Sequence, residues 1–225
     1  MTWHPDMPTE YRNQIVTGDA RILAERIPDE SVDLIFTDPI YQNIDDYRWL
    51  AETAARVLKP DRACLAFYAT PLKDLTIEAM KRGGLSYRWD LSLFLPGVGG
   101  SVVRDIVCKK TDCLWFEKGT SRTQHHIWDV QFGGAIPTGS RNMHMWCKHE
   151  PAIFQWVAAF SEGGSTVVDP FIGGGTVPKV CKMLGRNYVA FEILPDVAEL
   201  ARQRVANTQP PLPHCQPEQL DLGFL

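Results

Sequence analysis

Four carboxylates give the first hint of chemistry. Asp19, Asp38, Asp169 and Glu192 each stand just past the C-terminal end of a segment that reads as a β-strand. In open parallel α/β sheets, ligands bind in the crevice outside that edge. One acid there is uninformative, because aspartate is a common helix N-cap. Four at one edge imply a shared site. The run Asp169-Pro170-Phe171-Ile172-Gly173-Gly174-Gly175-Thr176 follows a strand and opens a helix. Glycines in such a turn admit positive φ and let a ligand approach the backbone closely. Glu192 ends the next strand, a position from which a carboxylate can accept both hydroxyls of a ribose. This arrangement suits an adenosine-bearing cofactor. Pro178 stands where a dinucleotide fingerprint needs its third glycine, and no Gly-Lys-Thr/Ser follows, which counts against NAD and against a P-loop.

Those acids need strands and helices to hold them at one edge. Residues 13–17, 32–37, 63–69, 166–168 and 188–191 read as strands. The run at 32–37 is continuously apolar, as in a strand buried on both faces. Helical spacing is found over 21–27, 47–58, 72–82, 152–160, 177–184 and 196–205. Strands alternating with helices predict a mostly parallel sheet with helices on both faces. The middle reads differently. Residues 89–95 and 112–116 look like strands, but 97–145 is rich in glycine clusters and is expected to form loops with short antiparallel strands. The prolines after position 207 predict an extended tail over 207–225. We expect a single domain over 1–225, with 97–145 as an insertion.

Composition narrows the class. The chain has 225 residues, 44% apolar and 22% charged, with a formal net charge of −4. It is long enough for a real core without disulfides or a structural metal. Six cysteines form no Cys-x-x-Cys pair and read as reduced thiols, and the scattered His and Cys residues offer no metal-ligand set. No run of apolar residues is long enough to span a membrane, and residues 1–10 lack an apolar signal core, so we expect a cytoplasmic protein. The acidic balance argues at first against nucleic acid. Residues 81–150, however, hold ten Lys/Arg against six acids, a local net of +4 that leaves −8 elsewhere. That segment also holds four of the six histidines and four of the seven tryptophans. Phosphates need cations and unstacked bases need flat partners. A solvated charged face with core tryptophans would give the same composition.

Asp38-Pro39-Ile40-Tyr41, taken with the glycine run, resembles the amino-group DNA methyltransferases, which modify adenine N6 or cytosine N4. Their catalytic motif reads Asp/Asn/Ser-Pro-Pro-Tyr/Phe/Trp and their cofactor motif Asp-Pro-Phe-x-Gly-Ser-Gly-Thr. Here Ile40 replaces the second proline and Gly174 the serine. The catalytic motif precedes the cofactor motif, as in the family's permuted β-type order. The family's His-Pro-x-x-Lys-Pro landmark is matched by His144 and Lys148 without either proline. The resemblance covers residues 13–96 and 144–206. It implies a Rossmann-like S-adenosylmethionine-dependent methyltransferase fold with circularly permuted motif order. It also implies S-adenosylmethionine as cofactor, held by Asp19, Ala20, Lys148, Asp169, Phe171, Gly173, Gly175, Thr176 and Glu192. Asp19 is then the adenine contact, while by position alone it is equally an N-cap.

The implied catalytic residues are Asp38, Pro39 and Tyr41. An exocyclic base amine is a poor nucleophile, because its lone pair is delocalised into the ring. The Asp38 carboxylate and the Pro39 carbonyl can each accept one of its N–H groups and fix the line of attack. Tyr41 offers a face for a flipped-out base. Asp at the first motif position leans, within the family, towards adenine N6. Site-specific DNA adenine methylation is the expected function. The alternatives are a cytosine-N4 DNA enzyme, an RNA or protein-amide methyltransferase, and a non-catalytic binding module. Arg104, Lys109, Lys110, Lys118, Arg122 and Arg141 are the candidate DNA contacts. A homodimer would extend so small a recognition surface. The sequence says nothing of a restriction partner.

Overall fold

The computed structural model describes residues 3–41, 43–95, 101–103, 105–133 and 150–209. Among the described residues, ten strands and six helices follow one another as β1 (Gln14–Thr17), α1 (Ala20–Leu23), β2 (Val32–Thr37), α2 (Ile44–Val57), β3 (Leu58–Phe67), α3 (Lys73–Arg82), β4 (Ser86–Phe94), β5 (Ser101–Val103), β6 (Ile106–Cys108), β7 (Lys110–Lys118), β8 (Val130–Phe132), α4 (Glu150–Phe160), β9 (Thr166–Asp169), α5 (Thr176–Met183), β10 (Asn187–Glu192) and α6 (Pro195–Ala206). Eight strands form one sheet in the order β1-β10-β9-β2-β3-β7-β4-β8. Every pairing is parallel except those of β7, which runs antiparallel to both β3 and β4. The hairpin of β5 and β6 stands apart as a second, two-stranded sheet.

The expected α/β architecture is found, with helices on both faces. On one face α4, α5 and α6 pack Trp156, Val157, Val180 and Ala201 against Leu34, Phe36, Leu65 and Ala190. On the other, α2 and α3 pack Tyr47, Leu50, Ala54 and Met80 against Ile35, Cys64, Ala66 and Val168. This alternation is the period-two signature of strands covered twice. The strand at β2 is buried along its whole length. Removing such apolar surface from water is the main stabilising term, worth roughly 1.5–3 kcal/mol per large side chain.

Several boundaries differ from expectation. The predicted helix over 21–27 is only four residues of α-helix followed by a 3₁₀ turn at Ala24–Arg26. Its apolar residues are too few for a longer amphipathic stripe, and Ile22 is exposed. The sheet also claims part of the supposed insertion. The loop-rich stretch expected over 97–145 contains β7, a nine-residue strand inserted between β3 and β4. The strand expected at 112–116 is its centre, where Cys113, Leu114 and Phe116 are buried, and it extends beyond both ends to Lys110 and Lys118. The 97–145 boundary therefore cuts through the main sheet. The predicted tail is described only to Gln209, and the rest lies outside the described residues. Among the described residues no helix is long and apolar enough to cross a membrane.

Candidate active site

The site lies where the sheet changes direction of growth. From β9 the chain order runs outward through β10 to β1, whereas from β2 it runs the other way to β3. The ladder between β2 and β9 ends at Ile35 and Val168. Beyond it the two strands are no longer paired, and a cavity of about 850 Å³ opens at the C-terminal ends of the parallel strands. Its lining includes Asp19 and Ala20 after β1, Asp38, Pro39, Ile40 and Tyr41 after β2, Asp169, Phe171, Gly173 and Thr176 after β9, and Glu192 at the end of β10. All four acids singled out from the sequence thus reach one cavity.

Each is held by local structure. Asp19 caps α1, its Oδ1 accepting from the Arg21 amide at 2.8 Å, so the N-cap role and a place on the cavity coexist. Gly173 takes φ +46° and donates its amide to Glu192 Oε2 at 3.1 Å, while Glu192 Oε1 accepts from the Leu194 amide at 3.0 Å. The glycine loop is tied down from behind by Arg204 of α6. That guanidinium donates to the Gly174 carbonyl at 2.7 Å, to Thr176 Oγ1 at 3.1 Å and to Glu150 Oε2 at 3.0 Å. Phe171 meets the Trp49 ring edge-to-face at 5.7 Å between centroids.

Asp169 is buried, with Oδ1 accepting from the Thr37 hydroxyl at 2.8 Å and the Phe171 amide at 3.1 Å. Burial dominates its ionisation and pushes the carboxyl up to about 7. The two hydrogen bonds oppose that rise, and the negative charges of Asp38 and Glu192 add to it. Tyr41 is half-buried and packs at the edge of the α4-side core. Burial first, and then the Asp38 carboxylate that its hydroxyl meets, hold it firmly protonated.

The cavity also brings together residues that sequence reading missed. Arg21 of α1 pairs with Asp46 of α2 at 2.7 Å across one wall. Asn43, Ile193, Leu194 and Thr37 also line it. For the apolar pair, the available signal was two large apolar residues directly after the strand-end acid Glu192; the structure leaves both exposed. Five carboxylates (Asp19, Asp38, Asp46, Asp169 and Glu192) face the cavity against one arginine, itself paired. A cavity so charged favours a cationic ligand.

Other expected site residues fall elsewhere. Gly175 does not line the cavity. It takes φ +72°, and a β-carbon there would lie 2.8 Å from that of Ala201, so its smallness serves the contact with α6. Lys118 stands apart from the cavity. Antiparallel β7 carries it to the edge opposite the cavity, beside Arg62, where it binds Glu30 at 3.0 Å and the Leu58 carbonyl at 2.8 Å. Arg122 is exposed in the segment leaving that same far edge. Lys110 opens β7 on the cavity side, opposite Phe94, and contacts Asp112 at 2.9 Å. The carbonyl of the neighbouring Lys109 accepts from Leu95. Lys148, Arg104 and Arg141 lie outside the described residues, as does His144.

Comparison with known proteins shows what this chain is similar to. Residues 108–203 match the DNA methylase family (N6_N4_Mtase), a span that includes the glycine loop and Glu192 and stops short of Asp38. The type II methyltransferase M.HpaI of Haemophilus parainfluenzae is 24% identical over 234 residues, covering 85% of this chain and 74% of the relative. M.HinfI of Haemophilus influenzae is 21% identical over 256 residues, covering 89% and 70%. Among solved structures, the M1.HpyAVI–SAM complex superposes with a TM-score of 0.73 at 19% identity, covering 85% of this chain and 98% of that one. The PvuII cytosine-N4-specific DNA methyltransferase superposes at 0.71 and 18% identity, covering 84% and 85%.

Proposed function

We propose that this chain is an amino-group DNA methyltransferase that transfers a methyl group from S-adenosylmethionine to adenine N6 in DNA, a reading supported by its similarity to the DNA methylase family and to M.HpaI. The observation that carries the reading is the convergence of Asp38-Pro39-Ile40-Tyr41 and the Asp169–Thr176 loop on one acid-lined cavity. The residues present fit the cofactor. The ligand is a sulfonium with an amino-acid tail, so its net charge is positive, and the lining is strongly acidic. Gly173 brings its backbone to the cavity wall, and Glu192 stands at the end of the neighbouring strand to accept ribose hydroxyls. Asp19 and Ala20, with the apolar Ile193 and Leu194, frame the place for an adenine ring. A cavity of about 850 Å³ lies within the usual range for cofactor sites. When bound, S-adenosylmethionine supplies a methyl group on a good leaving group.

The chain supplies the rest by position. Asp38 and the Pro39 carbonyl accept the two N–H groups of the target amine and aim its lone pair into the cavity. Tyr41 donates its hydroxyl towards Asp38, which fixes the carboxylate, and presents its ring to the base. Ile40 is exposed at the cavity mouth, so replacing the second proline leaves the Pro39 carbonyl in place. Reaching the amine requires the base to leave the duplex, at a cost of a few kcal/mol.

The test is transfer of tritiated methyl from S-adenosylmethionine to unmethylated DNA, followed by digestion to nucleosides. Label in N6-methyladenine is the expected result. Label in N4-methylcytosine would transfer the assignment to the base of the PvuII enzyme, and label only in RNA would change the substrate.

A further inference from the structure

We propose that Thr37 is a positioning residue that sets the separation of the catalytic and cofactor loops through its hydrogen bond to Asp169. The proposal rests on the methyl-transfer reading above. Thr37 is the last residue of β2 and directly precedes Asp38, while Asp169 is the last residue of β9 and opens the glycine loop. These strands are neighbours, yet their backbone pairing stops at Ile35 and Val168. Past that point no ladder hydrogen bond fixes one loop against the other, and this is where the cavity opens. The Thr37 hydroxyl spans the gap, donating to Asp169 Oδ1 at 2.8 Å, with both side chains buried. The same oxygen accepts from the Phe171 amide at 3.1 Å, so one carboxylate oxygen joins the end of β2 to the glycine loop.

The bond has an electrostatic consequence. Among the described residues, the ionisable groups that face Asp169 are Asp38 at the end of β2, Glu192 at the end of β10 and the buried Cys181 thiol of α5. None is cationic, so the Thr37 hydroxyl and the Phe171 amide are the groups that oppose protonation of this carboxyl. An ionised Asp169 favours a cationic ligand. Cofactor affinity should therefore rise as pH rises through about 7, and loss of the Thr37 hydroxyl should move that rise upward.

The experiment compares wild type, Thr37→Val and Thr37→Ser. Valine keeps the shape and removes the hydroxyl, and serine restores it. Single-turnover methyl transfer and calorimetric binding of S-adenosylmethionine are measured from pH 5.5 to 9. Thr37→Val is expected to lose roughly 10- to 100-fold in transfer rate, since a small misplacement of reacting groups costs that much. Its binding inflection should move up by about one pH unit, the cost of one hydrogen bond to a charged group. Thr37→Ser should return both to within about threefold of wild type. Should valine fail to fold, Thr37→Ala read against Thr37→Ser carries the same expectation. Equal rates and an unmoved inflection in the variant lacking the hydroxyl would overturn the proposal alone. A wild type that binds no S-adenosylmethionine and transfers no methyl would overturn the functional reading, and the proposal with it.

Discussion

The two halves of the sheet are built to different rules. From β1 to β3 each strand has helices on both faces, and β2, β9 and nearly all of β10 are buried. From β7 to β8 the covering thins. Tyr87, Trp89, Val130 and Phe132 are exposed, as is Trp128 just before β8, and the β5–β6 hairpin shows Val102, Ile106 and Val107 to solvent. In the first half Arg204 and Lys179 both converge on Glu150 behind the glycine loop. The contrast separates a locked half, which can hold two motifs at fixed distance, from a half whose outward side chains remain open to a partner. Transfer chemistry needs the former, because positioning is most of what the chain supplies. Reading a nucleic acid needs the latter.

The sharpest way to break that contrast is to remove one tryptophan from each half. Trp156 is fully buried between Phe36 and Phe67, so Trp156→Ala should cost about 3–5 kcal/mol in urea unfolding. Trp128 is 59% exposed, and its replacement by alanine should change stability by no more than about 0.5 kcal/mol. Equal losses would mean the second half is as closely packed as the first.

Next in size is Gly175→Ala. Positive φ and the approach to Ala201 should together cost about 2 kcal/mol. Gly163→Ala, with nothing within 4 Å of the added methyl, is the control and should be near neutral in the same denaturation series.

A third prediction concerns charge. Lys110→Ala should flatten the plot of log K against log salt for DNA binding by about 0.9, one phosphate contact. Lys118→Ala should leave that slope alone and lower stability by less than about 1 kcal/mol, because its partner Glu30 is exposed. A salt slope that responds to Lys118 and not to Lys110 would place the DNA surface on the wrong edge.

A fourth prediction concerns the pH dependence of folding contributed by Asp169. Its folded value is raised to about 7, so the folded chain keeps a proton that the unfolded chain releases above about 4. The stabilising contribution is complete below about pH 4 and declines as pH rises to about 7. Denaturation curves of Asp169→Asn should lack that decline, and a variant that tracks wild type through this window would remove Asp169 as its source.

How much of this was legible follows from the range of the interactions. Buried parallel strands such as 32–37 announce themselves, because coverage on both faces demands an unbroken apolar run. The strand-end acids were legible for the same reason: once the strands are placed, their ends are placed. What escaped depended on pairing between distant segments. No local signal says that β7 enters between β3 and β4, and without that pairing Lys118 looks like any other cation of a basic segment. Thr37 was hidden inside an apolar strand, although a hydroxyl directly ahead of Asp38, at the end of such a run, was the available clue. Gly175 was read through its motif, whereas its contact with Ala201 depends on where α6 returns.

The central claim is that Asp38 orients the acceptor amine at the edge of an acid-lined cofactor cavity. The most direct measurement is single-turnover methyl transfer to DNA by Asp38→Ala, with S-adenosylmethionine affinity measured on the same preparation. The account predicts a loss of about a thousandfold or more in transfer rate, with affinity kept within a few-fold. Turnover close to that of wild type would contradict it.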